Sequence, residues 1–267
     1  MERNTQPIGV FDSGVGGLTV ASKLHMLLPH ENIIYVGDTK RNPYGPCTIE
    51  QIRHYTTDIL RFLTKEHVKL AAIACNTITS VAYEMAVQQC DYPVIGMSRG
   101  LHTAMDISNK KKIAVFATKV TIDSHNHKMM AAQMDPDVTI VEQACPALAS
   151  LIERGVLGGE EIMEPLREYV EPVIASGADT AIFGCTHYPF IQPLFEELSN
   201  DIVFVDPAHE MALEILEALK KEDRLSSRAE PGSLRLCFTA EAERGGHLAR
   251  HLLPDNEFTV EEISLDQ

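Results

Sequence analysis

Leu70-Ala-Ala-Ile-Ala-Cys-Asn-Thr77 and Thr180-Ala-Ile-Phe-Gly-Cys-Thr-His187 share one pattern, and it decides the fold. Each opens on a short uncharged apolar run, as a strand buried on both faces requires. Each then places a cysteine where the strand stops, follows it with polar residues, and passes into a helical pattern. Working outward, further apolar runs occur at 8–11, 33–36, 93–96, 113–116, 138–141 and 202–205. Between them, apolar residues recur at three- and four-residue steps over 48–63, 163–174 and 210–219. Repeated β-then-α order predicts an α/β fold, with parallel sheets joined by right-handed crossovers and covered by helices. Ligands of such sheets sit at the carboxyl ends of the strands, where both cysteines fall. Two sheet edges facing one another would bring Cys75 and Cys185 to a single cleft. A polar stretch, 220–233, leads to a last apolar strand at 234–238, a helical segment reaching Leu253, and FTVEEI at 258–263. This tail reads as an addition to an existing sheet, being too short for a core of its own.

Composition narrows the partners. The 267 residues are 45% hydrophobic and 23% charged, as in an ordinary globular protein with room for one large domain or two ordinary ones. A net charge of −15 repels phosphate backbones and argues against nucleic acid. No apolar run approaches the roughly 20 residues of a membrane span, and the amino terminus, MERNTQPIG, has no signal core. Six cysteines without a C-x-x-C pair predict free thiols in the reducing cytoplasm. Neither Cys185 with His187 nor His125 with His127 has the spacing of a structural zinc site. The run DSHNHKMM (123–130) reads instead as the first turn of a solvated helix, so no metal is expected.

Two further segments end a strand on a carboxylate. In Ile8-Gly-Val-Phe-Asp-Ser-Gly-Val-Gly-Gly17, the glycines after Asp12 and Ser13 permit a tight turn into a helix whose first amides could hold an anion. In Val36-Gly-Asp-Thr-Lys-Arg-Asn-Pro-Tyr-Gly45, Asp38 is followed by a loop that, alone, reads as an ordinary turn. The cysteines carry more. A thiol at a helix start is shifted toward thiolate by the helix dipole, and His187, two residues past Cys185, is placed to exchange a proton. Either cysteine alone reads as packing, since free cysteine is among the most buried residue types. Two in equivalent contexts, each with polar followers, point to chemistry.

Taken together, FDSGVGGLTV (11–20), VGDTKRNPYG (36–45), ACNT (74–77), ACP…IE (144–153) and FGCTHYP (183–189) resemble the glutamate racemases of the aspartate/glutamate racemase superfamily, in the family's order. The resemblance implies two similar doubly wound parallel-sheet domains, 1–98 plus 207–267 and 99–206, with the active site in the cleft between them. It also implies cofactor-independent interconversion of L- and D-glutamate, supplying D-glutamate for peptidoglycan and so for cell-wall biogenesis and cell shape. By motif position, Cys75 and Cys185 would be the two proton carriers, with Asp12 and His187 as their helpers. Asp12, Ser13, Tyr44, Gly45, Asn76, Thr77, Thr118, Thr121, Glu153, Thr186 and His187 would bind substrate. No cofactor is implied, and a homodimer is compatible with the resemblance. The segment 96–100 departs from the family's usual turn, being one residue shorter and carrying Arg99 where an acid is usual. An aspartate or hydantoin racemase, or a binding protein that keeps the cleft without turnover, are the alternatives. Retention of both cysteines speaks against the second.

Overall fold

The computed structural model describes residues 3–265, which divide into two compact units, 3–97 with 208–265 and 98–207. The first part of the chain forms β1 (Ile8–Asp12), α1 (Leu18–Leu27), β2 (Ile33–Gly37), α2 (Ile49–Lys65), β3 (Leu70–Ile73), α3 (Asn76–Gln89) and β4 (Val94–Gly96). The second unit follows with α4 (Leu101–Ile107), β5 (Lys112–Ala117), α5 (Lys119–Asp123), α6 (Asn126–Met134), β6 (Thr139–Ala144), α7 (Leu148–Glu153), α8 (Glu160–Ser176), β7 (Thr180–Gly184), α9 (Gln192–Leu198) and β8 (Val203–Val205). The chain then returns to the first unit with α10 (Ala208–Lys221), β9 (Leu234–Phe238), α11 (Ala242–Leu252) and β10 (Thr259–Glu262). None of these helices is long and apolar enough to cross a membrane.

Both sheets are wholly parallel. The first unit orders its strands β10-β9-β2-β1-β3-β4, and the second β6-β5-β7-β8. The tail does extend an existing sheet: β9 lies beside β2 in the register Ile33↔Leu234, and β10 lies beyond it. Strands β1, β2, β3 and β7 are buried at every position, which is why they read as uninterrupted apolar runs rather than alternating ones. On one face of the first sheet, α2 and α3 bury Ile52, Ile59, Leu63, Ile78 and Ala82. Thr48 caps α2 by accepting from the Gln51 amide while the Gln51 side chain accepts from the Thr48 amide, a capping box that fixes the helix start. In the second unit, Phe183 and Phe195 lie with Phe204 in a ring cluster, the Phe183–Phe204 pair stacked at 5.2 Å.

One buried ion pair ties the tail to the first unit's sheet. Lys69, just before β3, places Nζ 2.6 Å from Glu31 Oε2 and donates to the carbonyls of Asn4 and Arg224. The other Glu31 oxygen accepts from the Ser226 amide. Both side chains are almost fully buried, so removing one leaves an uncompensated interior charge. Lys69→Met is therefore expected to destabilise the protein by about 3–5 kcal/mol. The double variant with Glu31→Gln should recover part of that loss. Urea midpoints at constant slope are the measurement.

The second cysteine does not open an α-helix as the sequence pattern suggests. After β7 the chain turns through 185–187 into a short 3-10 segment, Tyr188–Ile191, and α9 starts only at Gln192. Pro189 and Pro193 lack the amide hydrogens that an α-helix through this stretch would use. His127 is a second correction. It is buried rather than solvated, and shares the inward face of α6 with Ala131, four residues on. Burial, with the Arg99 charge adding to it, lowers its pKa to about 3, so it is a neutral interior imidazole.

Candidate active site

In the first unit, β1 and β3 are neighbours in the register Phe11↔Ile73, so Asp12 and Cys75 follow at adjacent strand ends. Gly17 makes the approach possible, because a Cβ there would stand 2.8 Å from the Asp12 Cβ and 2.9 Å from the Ala74 Cβ. Cys75 caps α3 with extended backbone, and its Sγ lies 3.7 Å from the Ser13 hydroxyl. This is the helix-start position that favours a thiolate. Asn76 and Thr77, also buried, begin the helix. Asp12 is fully buried, and its Oδ1 accepts from the Gly14 amide at 2.7 Å and from Ser13 Oγ at 3.3 Å. The Gly14 amide, in the turn ahead of α1, is thus engaged by the protein's own carboxylate.

The loop after β2 is more than an ordinary turn. Asp38 is fully buried and gathers three side chains. Thr239 Oγ1 donates to Oδ1 at 2.8 Å, while Arg41 Nε, at 2.6 Å, and the Tyr44 hydroxyl donate to Oδ2. Arg41 also donates to Asp58 at 2.8 Å and lies over the Tyr55 ring at 4.2 Å. Asn42 reaches back to the Ser13 carbonyl at 2.8 Å, joining this loop to the one after β1. Burial and then the Asp38 charge push the Tyr44 phenol well above its ordinary pKa. Its hydroxyl is therefore a donor committed to Asp38, which leaves the backbone of Tyr44 and Gly45 as the polar groups free of that cluster at this position. Asp38, Arg41, Asp58 and Thr239 are the residues that motif reading missed as a group. Thr239 lies about 200 positions from the others in the chain, so no local signal links them.

In the second unit, β5 lies between β6 and β7, in the registers Ala117↔Ala144 and Ala117↔Gly184. Thr118, Cys145 and Cys185 accordingly follow three neighbouring strand ends. Cys185 Sγ is 3.6 Å from His187 Nδ1, and His187 Nε2 is 2.6 Å from Glu153 Oε1. All three residues are buried. Burial alone would lower the His187 pKa, but its hydrogen bonds to Cys185 and Glu153 raise it well above the ordinary value. An imidazolium held between a thiol and a carboxylate is a proton store beside the sulfur. Thr118 caps α5, accepting from the Thr121 amide and donating to its hydroxyl at 3.1 Å. Thr186 is buried in the turn between Cys185 and His187. Tyr188 donates to the Cys145 carbonyl at 3.1 Å and so braces that turn.

Each unit therefore groups its own share of the expected residues: Asp12, Ser13, Tyr44, Gly45, Cys75, Asn76 and Thr77 in one, and Thr118, Thr121, Glu153, Cys185, Thr186 and His187 in the other. Among the described residues no three histidine, cysteine or carboxylate side chains converge as metal ligands. Parallel-sheet units with a buried thiol at a strand end in each suit an isomerase of carbon acids, the class to which amino-acid racemases belong. The chain belongs to the Asp/Glu/Hydantoin racemase family, whose model matches residues 9–215. It is 37% identical over 263 residues to a glutamate racemase of Shouchella clausii, spanning 98% of this chain and 95% of that one. A crystal structure of a glutamate racemase isoform from Bacillus anthracis matches with a TM-score of 0.90 at 30% identity, covering 97% of this chain and 98% of its own. Another, of a Francisella tularensis glutamate racemase in complex with D-glutamate, matches at 0.88 and 28% identity, covering 98% and 99%.

Proposed function

We propose that this protein interconverts L- and D-glutamate by two-thiol proton transfer at the α-carbon. Cys75 and Cys185 are the proton carriers in this reading. One, as thiolate, removes the α-proton, and the other, as thiol, delivers a proton to the opposite face of the planar carbanion. Asp12 serves Cys75, and His187, held by Glu153, serves Cys185. The observation that carries the reading is the repetition of one device. A buried thiol stands at a strand end in each unit, with a hydrogen-bonding partner at 3.6–3.7 Å. The family membership and the glutamate racemases among its relatives support glutamate as substrate.

The hydroxyl and amide groups of Ser13, Asn76, Thr77, Thr118, Thr121 and Thr186, with the Tyr44–Gly45 backbone, would fix the substrate and stabilise charge developing on its α-carboxylate. Neutral donors suit this task, because they cost less than buried charges to hold out of water. A free thiol, with a pKa of about 8.5, is only a few per cent ionised at neutral pH, and a tenfold change in its acidity corresponds to about 1.36 kcal/mol. The helix-start position of Cys75 acts in the required direction. The six free cysteines support a reducing, cytoplasmic setting, and D-glutamate for peptidoglycan is the proposed use of the product.

Circular dichroism of L- or D-glutamate solutions, followed without added cofactor and with a chelator present, tests the reading. The signal should decay to zero from either enantiomer. Decay with aspartate alone would move the substrate assignment to a neighbouring racemase. An optically inert protein that still bound glutamate would make it a binding protein.

A further inference from the structure

The family match ends at residue 215, and β9 lies beyond it. Its end nevertheless reaches the loop that carries Tyr44 and Gly45. The Thr239 amide donates to the Gly37 carbonyl at 3.1 Å, continuing the β2–β9 ladder by one step. Thr239 Oγ1 then works in both directions, donating to Asp38 Oδ1 at 2.8 Å and accepting from the Lys40 amide at 2.9 Å. One residue on, the Ala240 amide donates to Thr39 Oγ1 at 3.0 Å, and the Thr39 hydroxyl donates back to the Ala240 carbonyl. Residues 38–40 are thus zipped to 239–240 by side-chain hydrogen bonds. The opposite oxygen of Asp38 holds Arg41 and Tyr44. Beside this zipper lies a cavity of 340 Å³ bordered by Asp38, Arg41, Thr239 and residues 262–265. Polar bonds rather than close packing therefore fix the loop on that side.

We infer that Thr239 is a positioning residue for the substrate loop: through Asp38 it sets where the Tyr44–Gly45 backbone stands when glutamate binds. The inference rests on the reading that Tyr44 and Gly45 contact glutamate. Its signature is a change in affinity. Thr239 touches neither sulfur's partner nor the proton path, so losing its hydroxyl loosens the loop and leaves proton transfer in the bound complex intact.

The test compares Thr239→Val, Thr239→Ser and Thr39→Val in the full chain. Thr239→Val should raise KM for both enantiomers about tenfold while kcat stays within about twofold, the effect of a lost hydrogen bond to a buried carboxylate felt in binding alone. Thr239→Ser, which keeps the hydroxyl, should restore the wild-type KM. An unchanged KM in folded Thr239→Val, a fall in kcat with KM unchanged, or failure of Thr239→Ser to restore KM would overturn the inference. If Thr239→Val does not fold, Thr39→Val opens the same zipper from its other side, and an unchanged KM there has the same force. Cys75→Ser keeps the two readings apart. Racemisation by that variant at the wild-type rate would defeat the two-thiol scheme, whereas a KM at Thr239 that fails to move defeats only the loop assignment.

Discussion

Cys75→Ser and Cys185→Ser are each expected to lose racemase activity by about 10³–10⁴-fold, the contribution of a general acid or base used on both sides of the reaction. A serine hydroxyl keeps the size and most of the hydrogen bonding of the thiol but not its acidity, so the substitution removes the base and little else. Cys75 sits 3.7 Å from the Ser13 hydroxyl, and Cys185 3.6 Å from His187. Both sulfurs also border the apolar core of their unit, so circular dichroism of the two variants should match the wild-type spectrum before activities are compared. The two variants should also differ from one another. In deuterated water, wild-type protein exchanges the α-proton of both enantiomers, while each variant retains exchange for at most the enantiomer whose proton the surviving thiol removes. Nuclear magnetic resonance of each enantiomer separately reads this directly. A double variant that still racemised glutamate would end the scheme.

Glu153→Gln carries the second large effect, about 10²-fold in kcat with a displaced pH profile. His187 keeps its proton because its hydrogen bonds to Cys185 and Glu153 outweigh the cost of burial. Glutamine preserves the shape and a hydrogen-bond acceptor but removes the charge 2.6 Å from Nε2. The His187 pKa then falls, and the imidazolium is lost at a lower pH. Activity that depends on the protonated ring should accordingly fail earlier on the alkaline side. The corresponding limb of the kcat/KM profile moves to lower pH, and KM changes little. A profile unchanged in position would show that His187 is held in place by Glu153 but not charged by it.

Strands β1, β2, β3 and β7 are readable because this fold buries them completely, and an uncharged Ile- and Val-rich run between Gly, Asp and Pro has few other uses. The cysteine ends of β3 and β7 are readable for the same reason: in a parallel sheet the chemistry follows the strand. The short helices Leu101–Ile107, Lys119–Asp123 and Leu148–Glu153 give no such signal, being shorter than the two turns or so over which a helical period becomes visible. His127 is misread because H-x-H in a polar run suggests solvent, although Ala131 four residues later marks a buried face. The Asp38 cluster is out of reach on other grounds. Its donors come from a loop and from the tail, and only the folded sheet brings Thr239 to the carboxylate.

That β9 seats itself against β2 has a consequence for how the polypeptide is made. Strand β2 acquires its second hydrogen-bonded neighbour only when residues 234–238 exist, roughly two hundred positions after its own synthesis. The second unit is contiguous, so a nascent chain emerging at about 5–20 residues per second can close that unit first. Meanwhile β2 waits with one row of amides and carbonyls open to any other strand. A ribosome stalled before codon 234 would release a product with an intact second unit and a bare edge in the first, and aggregation of that product would begin at Ile33–Gly37.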